Sequence, residues 1–513
     1  MAAHVARRAL LAGGLAGGVG AALAGCAPDD AQPSPSTPAP SVSPSRSPRP
    51  PTPADWKQLA KHVDGTLARP SSAAYDTVRL TQNPRYDNAR PLAVLSVANA
   101  GDVATAFSFA QDHVVPITIR SGGHSYPGWS AGAGALVVDV RPLDDVSLRG
   151  TTATVGAGAS LIQVYGGLGS RGRGIPGGSC PTVGIAGLTQ GGGVGVLTRA
   201  YGLTCDSVAA MQVVLADGRV VTASADEEPD LFWALRGGGG GHLGVVTSFT
   251  FRTFAAPTIN RAFVSWPFSA AGQVVPQWLR SIPDADPRLW ATLKLLGGQT
   301  HPSGPVLLMS ATWTGPASGM DAALKPLLSK VPTPTTDSRS TASYLDTMLI
   351  YAGCSSIPVE QCHTGPGGSL DREAFAATSH IINEAEVDMG ALLDRVEAAQ
   401  SSGLKEAGIS IDALGGKVAD VGASDTAFGH RGALATVQYT ATYTSGPATA
   451  ATSYVRGFRS AMTSSWGTGA YVNYADSTLS DYRQAYFGSN AGRLARARAA
   501  YDPDGFFTQP QDY

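Results

Sequence analysis

The sequence predicts an α+β chain built from more than one domain, and three observations carry that expectation. From about Trp56 to Phe254, short apolar runs such as Pro116 to Arg120, Ala135 to Val140 and Met211 to Leu215 alternate with glycine-rich turns, the signature of strands. From about Ala256 to Ser465, longer helical stretches, for example Asp371 to Gln400, mix with strands such as Val306 to Trp313 and Leu434 to Tyr443. The 513 residues, 43% hydrophobic and 15% charged, suffice to bury the cores of two or three domains.

Taken in order, residues 1–26 read as an export signal. Arg7 and Arg8 precede a short, weakly apolar run, which suggests a twin-arginine route for a protein exported already folded. Leu23-Ala24-Gly25-Cys26 resembles a lipobox that would lipidate Cys26; an ordinary signal peptide with a chance cysteine is the alternative. The chain is therefore expected to be a cell-surface lipoprotein or secreted, meeting a membrane only through an anchor at Cys26. Residues 27–53 hold ten prolines among Ser, Thr and Ala, too little apolar surface to fold, and read as an extended tether. The globular part divides at about 54–255, 256–465 and 466–513. Within it, Asp217-Gly218 reads as a hairpin turn between Val213-Val214 and Val220-Val221, and Asn490 to Tyr501 as a helix stopped by Asp502-Pro503-Asp504-Gly505.

Thirty-seven basic against thirty-nine acidic residues leave no positive field to hold a nucleic acid. No Cys or His spacing reads as a metal site. Cys354 and Cys362, eight apart in a loop-like stretch, are expected to pair in an exported protein, and Cys205 to be a buried packing residue.

The chemistry lies in the glycines. Arg120-Ser121-Gly122-Gly123-His124-Ser125 follows a strand, and its adjacent glycines let backbone N–H groups converge on an anion. No Gly-Lys-Ser/Thr follows, so it is not a Walker loop, and no G-x-G-x-x-G opens a helix, so nicotinamide binding lacks its fingerprint. Pro127 stands where a nucleophile elbow needs glycine, which disfavours a serine hydrolase. A second cluster, Pro176 to Gly193, contains Cys180, Val183, Gly184, Gly187 and Gly192, and a third runs from Leu235 to Val246. Such density lets a flat ligand lie against main chain.

Together, in this order, Gly122-Gly-His124-Ser, Cys180-Pro-Thr-Val-Gly, Arg199-Ala-Tyr-Gly-Leu203, Leu231 to Gly240, Tyr471-Val-Asn-Tyr474 and Tyr501-Asp-Pro-Asp504 resemble the berberine-bridge-enzyme-like flavoprotein oxidases, from Trp56 to the end. The resemblance implies a two-lobed FAD-binding domain of the PCMH (vanillyl-alcohol-oxidase) type over 54–255. It further implies a substrate domain with a large antiparallel sheet covered by helices over 256–465, and a C-terminal segment returning to the flavin. It implies FAD held covalently by His124 and Cys180, with Arg120, Ser121, Gly122, Gly123, Ser125, Val183, Gly184, Gly187, Gly192 and Val246 as further cofactor contacts. Taken alone, His124 would read as a turn histidine and Cys180 as a buried thiol.

An alcohol oxidase needs a group to take the hydroxyl proton as hydride leaves for the ring. Tyr474 is the lead candidate and Tyr471 the rival; in an extended segment the two would point to opposite faces. Packing between domains is the alternative for both. Tyr126 and Gln438 match positions that line the family's active site. Val194 departs from the tyrosine that plant relatives carry, so their tyrosine pair does not transfer whole. Val183, small at this place, implies access for dioxygen. The expected activity is oxidation of an alcohol or sugar hemiacetal, with dioxygen as acceptor and hydrogen peroxide released, by a monomer acting on a small molecule. Alternatives are a flavin dehydrogenase of a secondary metabolite, a surface solute-binding lipoprotein that retains an oxidase scaffold, and a nicotinamide-dependent dehydrogenase.

Overall fold

The computed structural model describes residues 49–444 and 448–513. The expected export signal, the expected lipobox at Cys26 and nearly all of the expected proline-rich tether lie outside them. No helix among the described residues is long and apolar enough to cross a membrane.

Strands β1 (Thr66–Ala68), β2 (Ala93–Ser96), β3 (Ile117–Arg120) and β4 (Leu136–Asp139) form a sheet in the order β1-β2-β4-β3, in which β2, β4 and β3 run parallel. A helix, Ala100–His113, crosses between β2 and β3; the Asn99 side chain caps its start by accepting from the Asp102 N–H, and Val114, in the left-handed region, ends it. The second sheet is antiparallel, from β5 (Val146–Arg149), β6 (Thr152–Gly156), β8 (Val208–Val214), β9 (Val220–Ser224) and β10 (Val245–Arg252), in the order β5-β6-β10-β8-β9. β8 and β9 meet at the expected Asp217-Gly218 turn, with Gly218 at φ +83. A two-stranded ribbon joins β7 (Arg173–Gly174) to β11 (Phe254–Ala255).

The third sheet has seven antiparallel strands: β12 (Ile259–Trp266), β13 (Leu289–Gly297), β14 (Val306–Trp313), β15 (Thr336–Ala342), β16 (Ala374–Ile382), β17 (Glu406–Ala413) and β18 (Ala435–Tyr443), ordered β15-β12-β14-β13-β17-β18-β16. Alternation gives the sheet two faces. Val437, Tyr439 and Ala441 of β18, with Ile409 and Ile411 of β17, are buried on one face, where helix Ala448–Trp466 lays Val455, Phe458 and Met462 against β16 and β18. The opposite face carries Thr292, Ser410, Asp412, Thr436 and Gln438 and turns toward the glycine-rich lobe, where Thr312 donates to the Val196 carbonyl at 2.6 Å.

Two expectations need correction. Asp371 to Gln400 is not one helical stretch: β16 takes Ala374–Ile382, and only Met389–Ala398 is α-helical, followed by a 3₁₀ turn over Ala399–Ser401. The β-branched Thr378, Ile381 and Ile382 and a full register with β18 override the weak helical pattern. Val472–Tyr474 is not extended but a 3₁₀ turn closed by Tyr474 N–H donating to the Tyr471 carbonyl at 2.9 Å. A 3₁₀ turn eclipses positions three apart, so Tyr471 and Tyr474 share a side instead of facing apart.

Candidate active site

The glycine turn after β3 and the run from Gly184 are pressed main chain to main chain. A Cβ on Gly122 would lie 2.2 Å from the Gly184 nitrogen, and one on Gly184 would lie 2.1 Å from Ser121 Oγ, so neither position tolerates a side chain. Gly123, at φ +74, then turns the chain so that His124 reaches the segment after Cys180. His124 Nε2 hydrogen-bonds Thr182 Oγ1 at 2.8 Å, and Cys180 Sγ lies 3.7 Å from the same hydroxyl. One threonine thus gathers both expected attachment residues, 56 positions apart. Burial lowers the His124 imidazole to about 4, leaving it neutral with a nitrogen lone pair. Cys180 keeps open surface, yet burial still raises its thiol; close walls around an accessible atom describe a recess.

The other expected cofactor contacts fall into two groups. Gly187 stands exposed among buried neighbours, with nothing within 4 Å of where its Cβ would be; Val183, four residues earlier, is half-buried, and Gly192, at φ +117, packs on Phe428. These line the run. Arg120, by contrast, directs its guanidinium away from the turn, to Asp139 at 2.8 Å and to the Val78 and Arg79 carbonyls, so no phosphate role falls to that side chain. Ser121 Oγ donates to the Ala157 carbonyl, Ser125 Oγ accepts from Trp129 N–H, and Val246 is buried within the second sheet. These three fix the turn's surroundings.

The region fits a flavin dinucleotide. Thr189 Oγ1 and Gln190 Oε1 are buried without partners beside the open backbone at Gly187, while Gly237 and Gly239 both donate to the Gln190 carbonyl, at 2.8 and 2.9 Å. Unpaired polar atoms along a bare glycine surface await an elongated polar ligand.

Facing this recess is an aromatic and acidic group. The Tyr126 and Tyr474 rings stack at 5.5 Å with 7° between planes, and Tyr471 meets Tyr474 edge-on at 4.9 Å. The Tyr126 hydroxyl accepts from the Gln438 amide. Tyr471 is committed elsewhere: its oxygen accepts from Gly193 N–H and from Asn473 Nδ2, both at 2.8 Å, and Ser379 Oγ accepts from its backbone N–H. It is a positioning residue that ties the last segment to the glycine run, whereas the Tyr474 hydroxyl donates to no group among the described residues. Val194, 7% exposed, packs with Tyr471 in a small apolar cluster together with Cys205, which is buried as expected.

Asp412 escaped the sequence reading. It sits on β17 between Thr292 and Thr436, one register step from Gln438, on the face toward the recess. Asp412 and Cys180 both lie close enough to Tyr126 and Tyr474 to act on them electrostatically. Burial raises the Asp412 carboxyl above its ordinary value, with the Thr292 hydroxyl and then Lys294 pulling the other way. Burial also raises both phenols well above 10. At neutral pH the phenols therefore stay protonated, and the carboxyl is the group poised to exchange a proton. The alternation Ile409-Ser-Ile-Asp412 was the available signal: two apolar residues inward set two polar ones outward.

Cys354 and Cys362 are disulfide-bonded, Cα to Cα 5.9 Å, beneath a loop packed on Ile162.

Comparison with known proteins agrees with this geometry. Residues 91–224 match the family model described as FAD binding domain, and residues 470–512 the one described as berberine and berberine like. An uncharacterized FAD-linked oxidoreductase of Bacillus subtilis, YvdP, is 31% identical over 84% of this chain and 93% of its own. The chitooligosaccharide oxidase of Gibberella zeae is 30% identical over 82% of this chain and 87% of its own. Among solved structures, the BBE-like 1 protein of Physcomitrella patens superposes with a TM-score of 0.80 at 28% identity, covering 89% of this chain and 98% of that one. A glycine-lined recess that fits a flavin, a tyrosine pair and a carboxylate facing it, and these likenesses over more than four-fifths of the chain together assign it to the berberine-bridge-enzyme-like FAD-linked oxidoreductases.

Proposed function

We propose that this FAD-linked oxidoreductase is an oxidase of a sugar hemiacetal or related alcohol, with FAD attached through His124 and Cys180. The observation that carries it is the stack of Tyr126 on Tyr474, with Gln438 bonded to Tyr126 and Asp412 one register step away on the same sheet face, within the electrostatic reach of Cys180's neighbours. Bound there, FAD would supply the electron acceptance, taking hydride at N5 and passing the electrons to dioxygen to give hydrogen peroxide. Asp412 takes the proton of the substrate hydroxyl, directly or through the free Tyr474 hydroxyl. Gln438 fixes Tyr126, whose ring holds Tyr474 in place by stacking. Thr182 orients the His124 imidazole, and the small Val183 side chain leaves room for dioxygen. The likeness to a chitooligosaccharide oxidase supports a carbohydrate over a secondary metabolite.

The proposal extends to location: export by a twin-arginine signal, retention at the surface by lipid on Cys26 or release, and action as a monomer. Its test is a screen of mono- and oligosaccharides and aromatic alcohols for peroxide release by purified yellow protein, followed by acid precipitation. Peroxide with a sugar, no need for added NAD, and colour retained in the pellet are expected. A yellow protein inert toward every alcohol would favour the solute-binding reading.

A further inference from the structure

Arg199 stands on the short helix Thr198–Tyr201, which follows the glycine run whose Gly193 N–H bonds the Tyr471 hydroxyl. Its side chain is wholly buried, yet among the described residues it meets main chain alone. Nε donates to the Leu289 carbonyl at 2.6 Å, Nη1 to the Pro283 carbonyl at 2.7 Å and to that of Leu414, and Nη2 to the Ala285 carbonyl at 2.5 Å. Every acceptor lies across the boundary, in the part of the chain that builds the seven-stranded sheet.

The grip falls at one end of that sheet. Leu289 is the first residue of β13 and Leu414 directly follows β17, and these two strands pair with Thr292 opposite Asp412. Arg199 therefore holds both strands at the end nearest this pair, with Leu414 two residues from Asp412. The contact is close on both sides. A Cβ on Gly415, at φ +77, would lie 2.9 Å from Arg199 Nη1, and one on Gly416, at φ +53, would lie 2.5 Å from the Arg199 carbonyl oxygen. The chain leaving β17 is thus moulded on the arginine, and Val418 beyond it packs in the apolar cluster of Tyr471 and Val194.

Burial lowers the guanidinium to about 10, with Asp284 and Asp286 opposing, so it stays charged at neutral pH. A planar fork can meet four carbonyls at fixed angles, whereas an ammonium offers three donors on a flexible stem. The ion pairs Arg372–Asp87 and Arg431–Asp206 also tie the two parts of the chain, but neither involves β13 or β17.

From this geometry we infer that Arg199 is the positioning residue for Asp412: by fastening the ends of β13 and β17 to the glycine run, it fixes how far the carboxyl stands from the cofactor wall. The inference rests on the oxidase reading, with Asp412 as the group that takes the proton. Its test is a double-mutant cycle on the holoenzyme, with Arg199→Lys and Asp412→Asn made singly and together. Arg199→Lys keeps the charge but loses the fork, and is expected to lower kcat for peroxide release by about tenfold to a hundredfold, the scale of a small misplacement, with KM and flavin per protein unchanged. In the Asp412→Asn background the same change should lower kcat by less than about twofold, because the group it places is gone. An equal fall in both backgrounds, or a fall that tracks lost flavin, would show an arginine that only holds the fold together and would overturn the inference. So would full activity in Arg199→Lys. Urea unfolding at pH 7 repeats the cycle without turnover: Asp412→Asn should raise the midpoint more in wild type than in Arg199→Lys, where a loosened strand end lets the carboxyl reach water. Equal changes would overturn the inference. If no alcohol yields peroxide, the oxidase reading fails while this comparison still decides whether Arg199 sets the surroundings of Asp412.

Discussion

The two walls of the recess are made differently. The cofactor wall is main chain: Gly122 against Gly184, Gly187 bare, Gly237 and Gly239 bonded to the Gln190 carbonyl. The wall we assign to substrate is side chains set on alternate positions of a sheet: Gln438, Ser410, Asp412, Thr292. Backbone contact is set by the absence of side chains and tolerates no addition, whereas a sheet face can exchange one side chain for another of like size without moving a strand. One wall can hold a constant group while the other varies its ligand.

Substitutions at the two walls should therefore fail in different ways. The largest effect is expected at Asp412→Asn and Tyr474→Phe, each lowering kcat by about 10²–10⁴-fold, the range of a lost general base, with flavin content per protein unchanged. Steady-state peroxide assays beside absorbance spectra check this; full activity in Asp412→Asn would pass the base role to Tyr474 alone. Gly122→Ala should do the reverse. With backbone 2.2 Å from the new carbon, it must displace the Gly184 run, costing at least the ~1–3 kcal/mol of an overpacked core, and the isolated protein should carry less flavin.

A smaller effect concerns pH. The Asp412 carboxyl is raised in the folded chain, so its ionised form is disfavoured there relative to the unfolded chain. Stability from this group is full below the ordinary aspartate value of 3.8 and is lost as pH rises through the folded value. Asp412→Asn should accordingly be more stable than wild type to urea at pH 7 and no more stable near pH 3, the same change that removes activity. Equal midpoints at pH 7 would show that the carboxylate is well accommodated. Smallest of all, Thr292→Val removes the hydroxyl beside Asp412 that draws its carboxyl down, and should alter stability by less than about 1 kcal/mol in urea titrations.

What could be read from the sequence follows the same division. Motifs spaced by glycine announce themselves because few residues can replace a glycine at a positive φ or a main-chain contact; the approach of His124 and Cys180 to one threonine was implicit in their frames. The hairpin at Asp217-Gly218 and the helix from Ala491 to Tyr501 were legible for local reasons, a turn dipeptide and a stop signal. Asp412 was not, because its meaning depends on which strands become neighbours, and β17 meets β13 across more than a hundred residues. The stretch from Asp371 was misread for the same cause: its strand exists only because β18 lies beside it. The Tyr471–Tyr474 turn needed the Ser379 contact from β16, equally remote.

The Tyr471 hydroxyl on Gly193 joins positions 278 apart in sequence. Closing so long a loop is among the slower events in folding. The pocket therefore becomes complete only late in maturation, and a nascent or truncated polypeptide lacking residues 471–474 would offer the prosthetic group a cradle with one side missing.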